Sequence, residues 1–178
     1  MWHLHKMKPD DFEAAESFFE QAIELDPGFG PAHCGLASTL YHMLFYGATD
    51  TREDAGDRAL NAAKKAIELD DDDANAHLAL SLVHQLQRNL KSVIVEAKEA
   101  IRLNPSLADA HHQLGRAMVH MGEAEEGLIH ISESIKLSPN DPNATIFVAG
   151  RAMAHLYLRQ HEEAVEWAAK AVRSPNAF

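Results

Sequence analysis

The chain has 178 residues, 46% of them hydrophobic and 24% charged, the balance of an ordinary water-facing fold rather than of a membrane protein. Its formal net charge of −11, with Asp70, Asp71, Asp72 and Asp73 consecutive and no stripe of Lys or Arg, repels phosphate backbones, so direct nucleic-acid binding is not expected. No stretch approaches the roughly 18 uninterrupted apolar residues of a bilayer span, Met1-Trp2-His3-Leu4-His5 has no signal-peptide core, and one cysteine, Cys34, rules out an intrachain disulfide framework; the expectation is a cytoplasmic chain without membrane insertion.

In chain order, helices are expected over 10–26, 30–45, 53–70, 74–88, 91–104, 108–121, 124–137, 143–159 and 161–173. The first closes on Ala22-Ile23-Glu24-Leu25-Asp26 and meets Pro27, which has no N–H to donate and disfavours a helical residue before it. The second runs into Phe45-Tyr46-Gly47-Ala48-Thr49-Asp50, after which Thr51, with Asp54 three residues on, resembles a capping box that restarts a helix. The third closes on the same phrase, Ala66 to Asp70, but has Asp71 where the first has proline; this turn is expected to rely on solvated, helix-breaking aspartates. Weakened copies end the fifth helix at Ala100-Ile101-Arg102-Leu103-Asn104 before Pro105, the seventh at Ser134-Ile135-Lys136-Leu137-Ser138 before Pro139, and the ninth at Ala171-Val172-Arg173.

These copies stand 44, 34, 34 and 37 positions apart. The long first spacing places about ten extra residues around Phe45 to Asp50, between two paired helices, and the last places about three near Asp141-Pro142-Asn143, where they would lengthen the following helix. A period of 34 with two helices in each is similar to that of the tetratricopeptide repeat (TPR) family. In residues 74–107 and 108–141 the family's first-helix Leu-Gly pair is Leu80-Ser81 and Leu114-Gly115, the small residue at the helix crossing is Val93 and Gly127, the small residue near the second helix's end is Ala100 and Ser134, and the terminal proline is Pro105 and Pro139. The family's early tryptophan is replaced by His33, His77 and His111, and Val93, bulkier than the usual alanine, is expected to splay its crossing slightly.

The resemblance implies an all-α superhelix, a TPR solenoid of about four helix pairs plus a partial N-terminal repeat. It forms a single array over 1–178: a partial repeat 1–29, a repeat with an insert 30–73, repeats 74–107 and 108–141, and a lengthened repeat 142–175. Each pair has an apolar face that only a neighbouring pair can bury. Trp2 and His3 fall where an earlier Leu-Gly pair would lie, and Pro175-Asn176 resembles a repeat terminator with nothing after it, so the chain reads as a piece cut from a longer protein. The insert and the phrase His161 to Ala168 resemble the C-terminal TPR region of bacterial adenylate or guanylate cyclase-type proteins and winged-helix regulators, which would make this a signalling module.

What the resemblance implies for function is a non-catalytic scaffold that holds a protein or peptide on the fifth, ninth and thirteenth positions of each first helix. These are Cys34, Ser38 and His42; Leu78, Leu82 and Leu86; His112, Arg116 and His120; and Ala149, Met153 and Tyr157, the last three read from a lengthened helix. Residues four apart share a helical face. The family's carboxylate clamp is absent, because Cys34, Ser38 and Ala79 stand where lysine and asparagine would. Arg116 is either a solvated partner of Glu123 or Asp109 or a contact for an acidic ligand group. The helix carrying Leu78, Leu82 and Leu86 is apolar nearly all round and needs a cover: a bound peptide, a second copy of the chain in a homodimer, or the Phe45-Tyr46 insert.

Twelve histidines raise the question of metal. No His-Glu-x-x-His or Cys-x-x-Cys motif is present, and His33, His77 and His111 fall on successive first helices about 8–10 Å apart, too far for one ion. They are expected to be packing residues. Cys34 has His33 beside it in sequence, but adjacent helical residues do not face each other. No catalytic residue, cofactor or metal is therefore assigned.

Overall fold

The computed structural model describes residues 9–48, 52–139 and 144–173. Among them lie nine α-helices and no strand: α1 Pro9–Leu25, α2 Gly30–Tyr46, α3 Arg52–Leu69, α4 Ala74–Leu86, α5 Leu90–Leu103, α6 Ala108–Met121, α7 Ala124–Leu137, α8 Ala144–Tyr157 and α9 His161–Arg173. The expectations placed on Trp2, His3, Thr51, Asp141 to Asn143, Pro175 and Asn176 lie outside the described residues.

The helices begin and end for local reasons that repeat along the chain. Between one hairpin and the next, an Asp or Asn folds its side chain onto the backbone two residues on. Asp26 Oδ1 accepts from Gly28 N at 3.0 Å, Asp70 Oδ1 from Asp72 N at 3.1 Å, and Asn104 Oδ1 from Ser106 N at 3.1 Å. The all-aspartate turn therefore uses Asp70 as its proline-containing counterparts use Asp26 and Asn104, rather than by solvation alone. Asp73 then caps α4, accepting from Asn75 N at 2.8 Å.

The turn inside each hairpin is a left-handed cap. Gly47 (φ 70), Arg88 (φ 56), Gly122 (φ 93) and Arg159 (φ 59) all take the left-handed conformation. The next N–H bonds back into the last helical turn in each case: Ala48 to Met43 O, Asn89 to His84 O, Glu123 to Met118 O and Gln160 to His155 O, at 2.7, 3.0, 2.9 and 2.9 Å. These bonds satisfy carbonyls that the helix end would otherwise leave without partners.

The described helices fall into two compact units, one ending at Leu103 and the other starting at Asn104. In the first, α2 packs on α1, α3 and α4, and α4 on α3 and α5. Its core gathers Phe12, Leu36, Leu40, Met43, Leu44, Leu80 and Val83 around a bed of alanines, Ala37, Ala59 and Ala63 being fully buried. In the second, α6 packs on α7 and α8, α7 on α8, and α8 on α9. Val119, Ala124, Ile131 and Ala154 form its core, with Leu128, Ile135, Met153 and Leu158 against them.

The extra residues of the α2–α3 hairpin go largely into its two helices, expected over 30–45 and 53–70: α2 and α3 have 17 and 18 residues where α4 and α5 have 13 and 14. The run Thr39-Leu40-Tyr41-His42-Met43-Leu44-Phe45-Tyr46 contains no breaker, and α2 continues until Gly47. The described part of α8, Ala144–Tyr157, has 14 residues, as α6 has, and ends at Tyr157 rather than at the expected 159; the residues expected to lengthen it, Asp141 to Asn143, lie outside the described ones.

Candidate functional site: the first-helix faces

The histidines in the tryptophan position have a defined role. His33 Nε2 lies 3.0 Å from Pro27 O, His77 Nε2 3.0 Å from Asp71 O, and His111 Nε2 3.1 Å from Pro105 O. Each ring donates to the carbonyl six residues back and ties its helix to the turn that precedes it. The opposite nitrogen meets the second helix of the same hairpin: His77 Nδ1 lies 2.7 Å from Glu96 Oε2, and His111 Nδ1 lies 3.3 Å from His130 Nδ1.

On the first unit, the residues singled out on α2 separate by depth. Cys34 is buried against Ala66 and Ala76, its Sγ donating to Asp73 Oδ2 at 3.8 Å. Burial and then the Asp73 carboxylate push the thiol up to about 12, so it stays protonated and unreactive at neutral pH. Ser38 is half-buried, and its carbonyl accepts from His42 Nδ1 at 2.7 Å. His42 forms a triangle of near-parallel rings with Phe12 and Tyr46, 6.3 Å from each, and meets the edge of Tyr41 at 5.0 Å. Burial holds its imidazole below the usual histidine range, against the opposing bond to Ser38.

The described part of the insert belongs to this aromatic group. Tyr46 stacks on Phe12 at 6.1 Å and Phe45 on Tyr41 at 5.8 Å, while both remain nearly half exposed. On α4, Leu82 is buried, Leu78 is half-buried, and Leu86 packs against the unit's core. Of these leucines Leu86 is thus covered by its own unit, and the ring contacts of Phe45 and Tyr46 are made to α1 and α2.

On the second unit, His112 is buried with its ring 4.9 Å from that of Phe147 and its Nε2 facing Gly150. A Cβ on Gly150 would stand 2.8 Å from that nitrogen, so glycine makes room for the ring. Burial, reinforced by the positive charge of Arg116, pushes His112 down to about 3, and it is neutral. One turn on, Arg116 is half-buried, and a further turn brings exposed His120, whose Nδ1 is hydrogen-bonded to Tyr157 Oη at 3.2 Å with the rings edge to face. His120 is also held below its ordinary range by burial and Arg116. The structure therefore brings His120 and Tyr157 together, with Arg116 one turn before His120 on α6. Ala149 is half-buried; Met153 turns into the core beside Val119 and Ile131.

A signal in the sequence gives a second register for α8. Gly115-Arg116-Ala117-Met118 and Gly150-Arg151-Ala152-Met153 are the same four residues, each followed two positions later by histidine, His120 and His155. Matching them sets Phe147, Arg151 and His155 opposite His112, Arg116 and His120. In the structure Phe147 is buried, Arg151 lies over the Trp167 ring at 4.1 Å with Lys170 at 4.0 Å from the same ring, and His155 Nδ1 donates to Gln160 Oε1 at 2.7 Å.

Among known proteins, a tetratricopeptide repeat family model matches residues 7–29. No curated protein matches the sequence. Among solved structures, the chain is similar to MamA at 22% identity, over 97% of this chain and 94% of that one, with a TM-score of 0.63. It is similar to TTC0263, a thermophilic TPR protein of Thermus thermophilus, at 21% identity over 93% and 84%, with a TM-score of 0.73. It is also similar to YrrB, described as a TPR protein with an unusual peptide-binding site, at 20% identity over 92% and 77%, with a TM-score of 0.58. The repeat model on α1 and the structural likeness along the chain agree on one conclusion: these helices have the tetratricopeptide-repeat fold.

Proposed function

We propose that this chain is a non-catalytic interaction scaffold that receives a peptide or helix of another protein on its first-helix faces, with the α6–α8 face of the second unit as the principal contact. The observation that carries the reading is the group Arg116, His120 and Tyr157: a half-buried cation one turn from a pair of exposed rings that meet edge to face. Such a surface suits a segment bearing a carboxylate next to an apolar or aromatic side chain. Similarity to a structure with a peptide-binding site supports the same reading. Peptides selected from a random library on the tag-free chain should share an acidic residue beside a large apolar one. They should lose at least about tenfold in affinity on Arg116→Ala or Tyr157→Ala. Selected peptides that bind both variants as tightly as the original chain would refute the assignment.

A second reading, a self-association or regulatory module of a cytoplasmic bacterial signalling protein such as a nucleotide cyclase or winged-helix regulator, draws on α9 and its neighbour. Leu156, Val165 and Val172 are 55%, 70% and 76% exposed, more apolar surface than a closed edge needs. Light scattering over a range of concentrations separates the two: a dimer that dissociates on Val165→Glu supports the second reading, and a monomer throughout removes it.

A further inference from the structure

We propose that His111 and His130 form a binding site for a divalent first-row transition-metal ion, with Zn²⁺ as the reference case. The two rings come from α6 and α7 of one hairpin, and their Nδ1 atoms face each other at 3.3 Å. Two nitrogens bound at about 2.0–2.1 Å to one tetrahedral ion stand about 3.3 Å apart, so the spacing already suits a shared ion. The ring centroids are 5.5 Å apart and tilted by 31°, and His130 is half-buried.

The tautomer of His111 is fixed by its other nitrogen. Nε2 donates to Pro105 O at 3.1 Å, which leaves the lone pair on Nδ1, where it accepts the Nδ1–H of His130 in the ion-free chain; an entering ion takes the place of that proton, which His130 then carries on Nε2. A ligating histidine whose second nitrogen is held by a carbonyl is the usual support of a metal site. Glu133, one turn after His130 on α7, is now paired with Lys136 Nζ at 2.8 Å. Among the described residues no three donors already converge, so Glu133 or water must complete the shell when the ion enters.

The neighbouring hairpin supplies a natural comparison. His77 occupies the place of His111 and Glu96 that of His130, but there the facing atoms are an imidazole nitrogen and a carboxylate oxygen at 2.7 Å, a charge-assisted pair. His111 and His130 are joined by a hydrogen bond without a carboxylate's charge and, with borderline donors on both sides, favour Zn²⁺, Ni²⁺ or Cu²⁺ over Mg²⁺ or Ca²⁺.

The test is titration of the tag-free chain with ZnCl2 near neutral pH, read by calorimetry and by thermal unfolding, for the original chain and for His130→Ala and His77→Ala. The site predicts one tight equivalent, a rise in Tm with Zn²⁺ and none with Mg²⁺. It also predicts a loss of more than about tenfold in affinity for His130→Ala, and no change for His77→Ala. Circular dichroism of His130→Ala should match the original chain, since its ring is partly exposed. Zn²⁺ binding that survives His130→Ala, or no stabilisation at millimolar Zn²⁺, would overturn the proposal.

Discussion

Gly115 and Gly127 meet backbone to backbone where α6 crosses α7: a Cβ added to Gly115 would stand 2.5 Å from the Gly127 carbonyl oxygen, and one added to Gly127 would stand 2.6 Å from that of Gly115. The positions are reciprocal, so neither helix can yield without separating the pair. At the matching crossing of α4 and α5, Ser81 and Val93 are both fully buried, so that hairpin is already built around side chains.

Gly115→Ala and Gly127→Ala should each lower stability by about 1–3 kcal/mol, because overpacking outweighs the roughly 1 kcal/mol that alanine gains over glycine inside a helix. Ser81→Ala should change it far less. Urea denaturation of the three variants measures this, and unchanged midpoints for the glycine variants would mean that the close approach is absent.

Arg88 and Arg159 take the left-handed conformation that Gly47 and Gly122 adopt at the equivalent turns. A side chain there is strained, so Arg88→Gly and Arg159→Gly should stabilise the fold by about 0.5–1 kcal/mol each, less what glycine adds to unfolded-chain freedom. A rise in Tm is the expected outcome of thermal unfolding.

Acid should act through His112. Its folded pKa of about 3 lies below the unfolded value near 6.5, so between these limits the unfolded chain binds the extra proton. Its contribution is full above about pH 6.5 and is lost as pH falls toward 3; between pH 7 and 5 the loss is about 2 kcal/mol. His112→Phe, which cannot titrate, should flatten the fall of Tm over that interval. Parallel pH profiles for both proteins would remove His112 as the cause.

Cys34 should resist alkylation in the folded chain at pH 8, because burial and Asp73 together hold its thiol near 12. Asp73→Asn keeps a competent helix cap and removes the charge, so iodoacetamide should then react faster, though still slower than with the unfolded chain. Equal rates for native and unfolded protein would contradict the burial of Cys34.

How much of this was legible in the sequence depends on whether the cause was local. Helix ends fell within about two residues of their expected places because Pro27, Pro105, the Asx turns and the small residues at crossings act over a few residues. The added length of α2 was legible because nothing in the run from Thr39 to Tyr46 breaks a helix. The histidines were read as packing residues, but their bonds to turn carbonyls six residues back depend on the path of the turn against the helix, which helical spacing alone does not encode. On the α6–α8 face, spacing by four found His120 and Tyr157. Met153 turned inward because the repeated Gly-Arg-Ala-Met phrase, rather than an assumed lengthening, sets the register of α8.

The claim on which the functional account turns is that a partner occupies the α6–α8 face. Nuclear magnetic resonance titration of isotope-labelled chain with a library-selected peptide tests it most directly. The account predicts that the largest shifts cluster at Arg116, His120 and Tyr157 and fade with Arg116→Ala; shifts confined to the outer faces of α7 and α9 would contradict it.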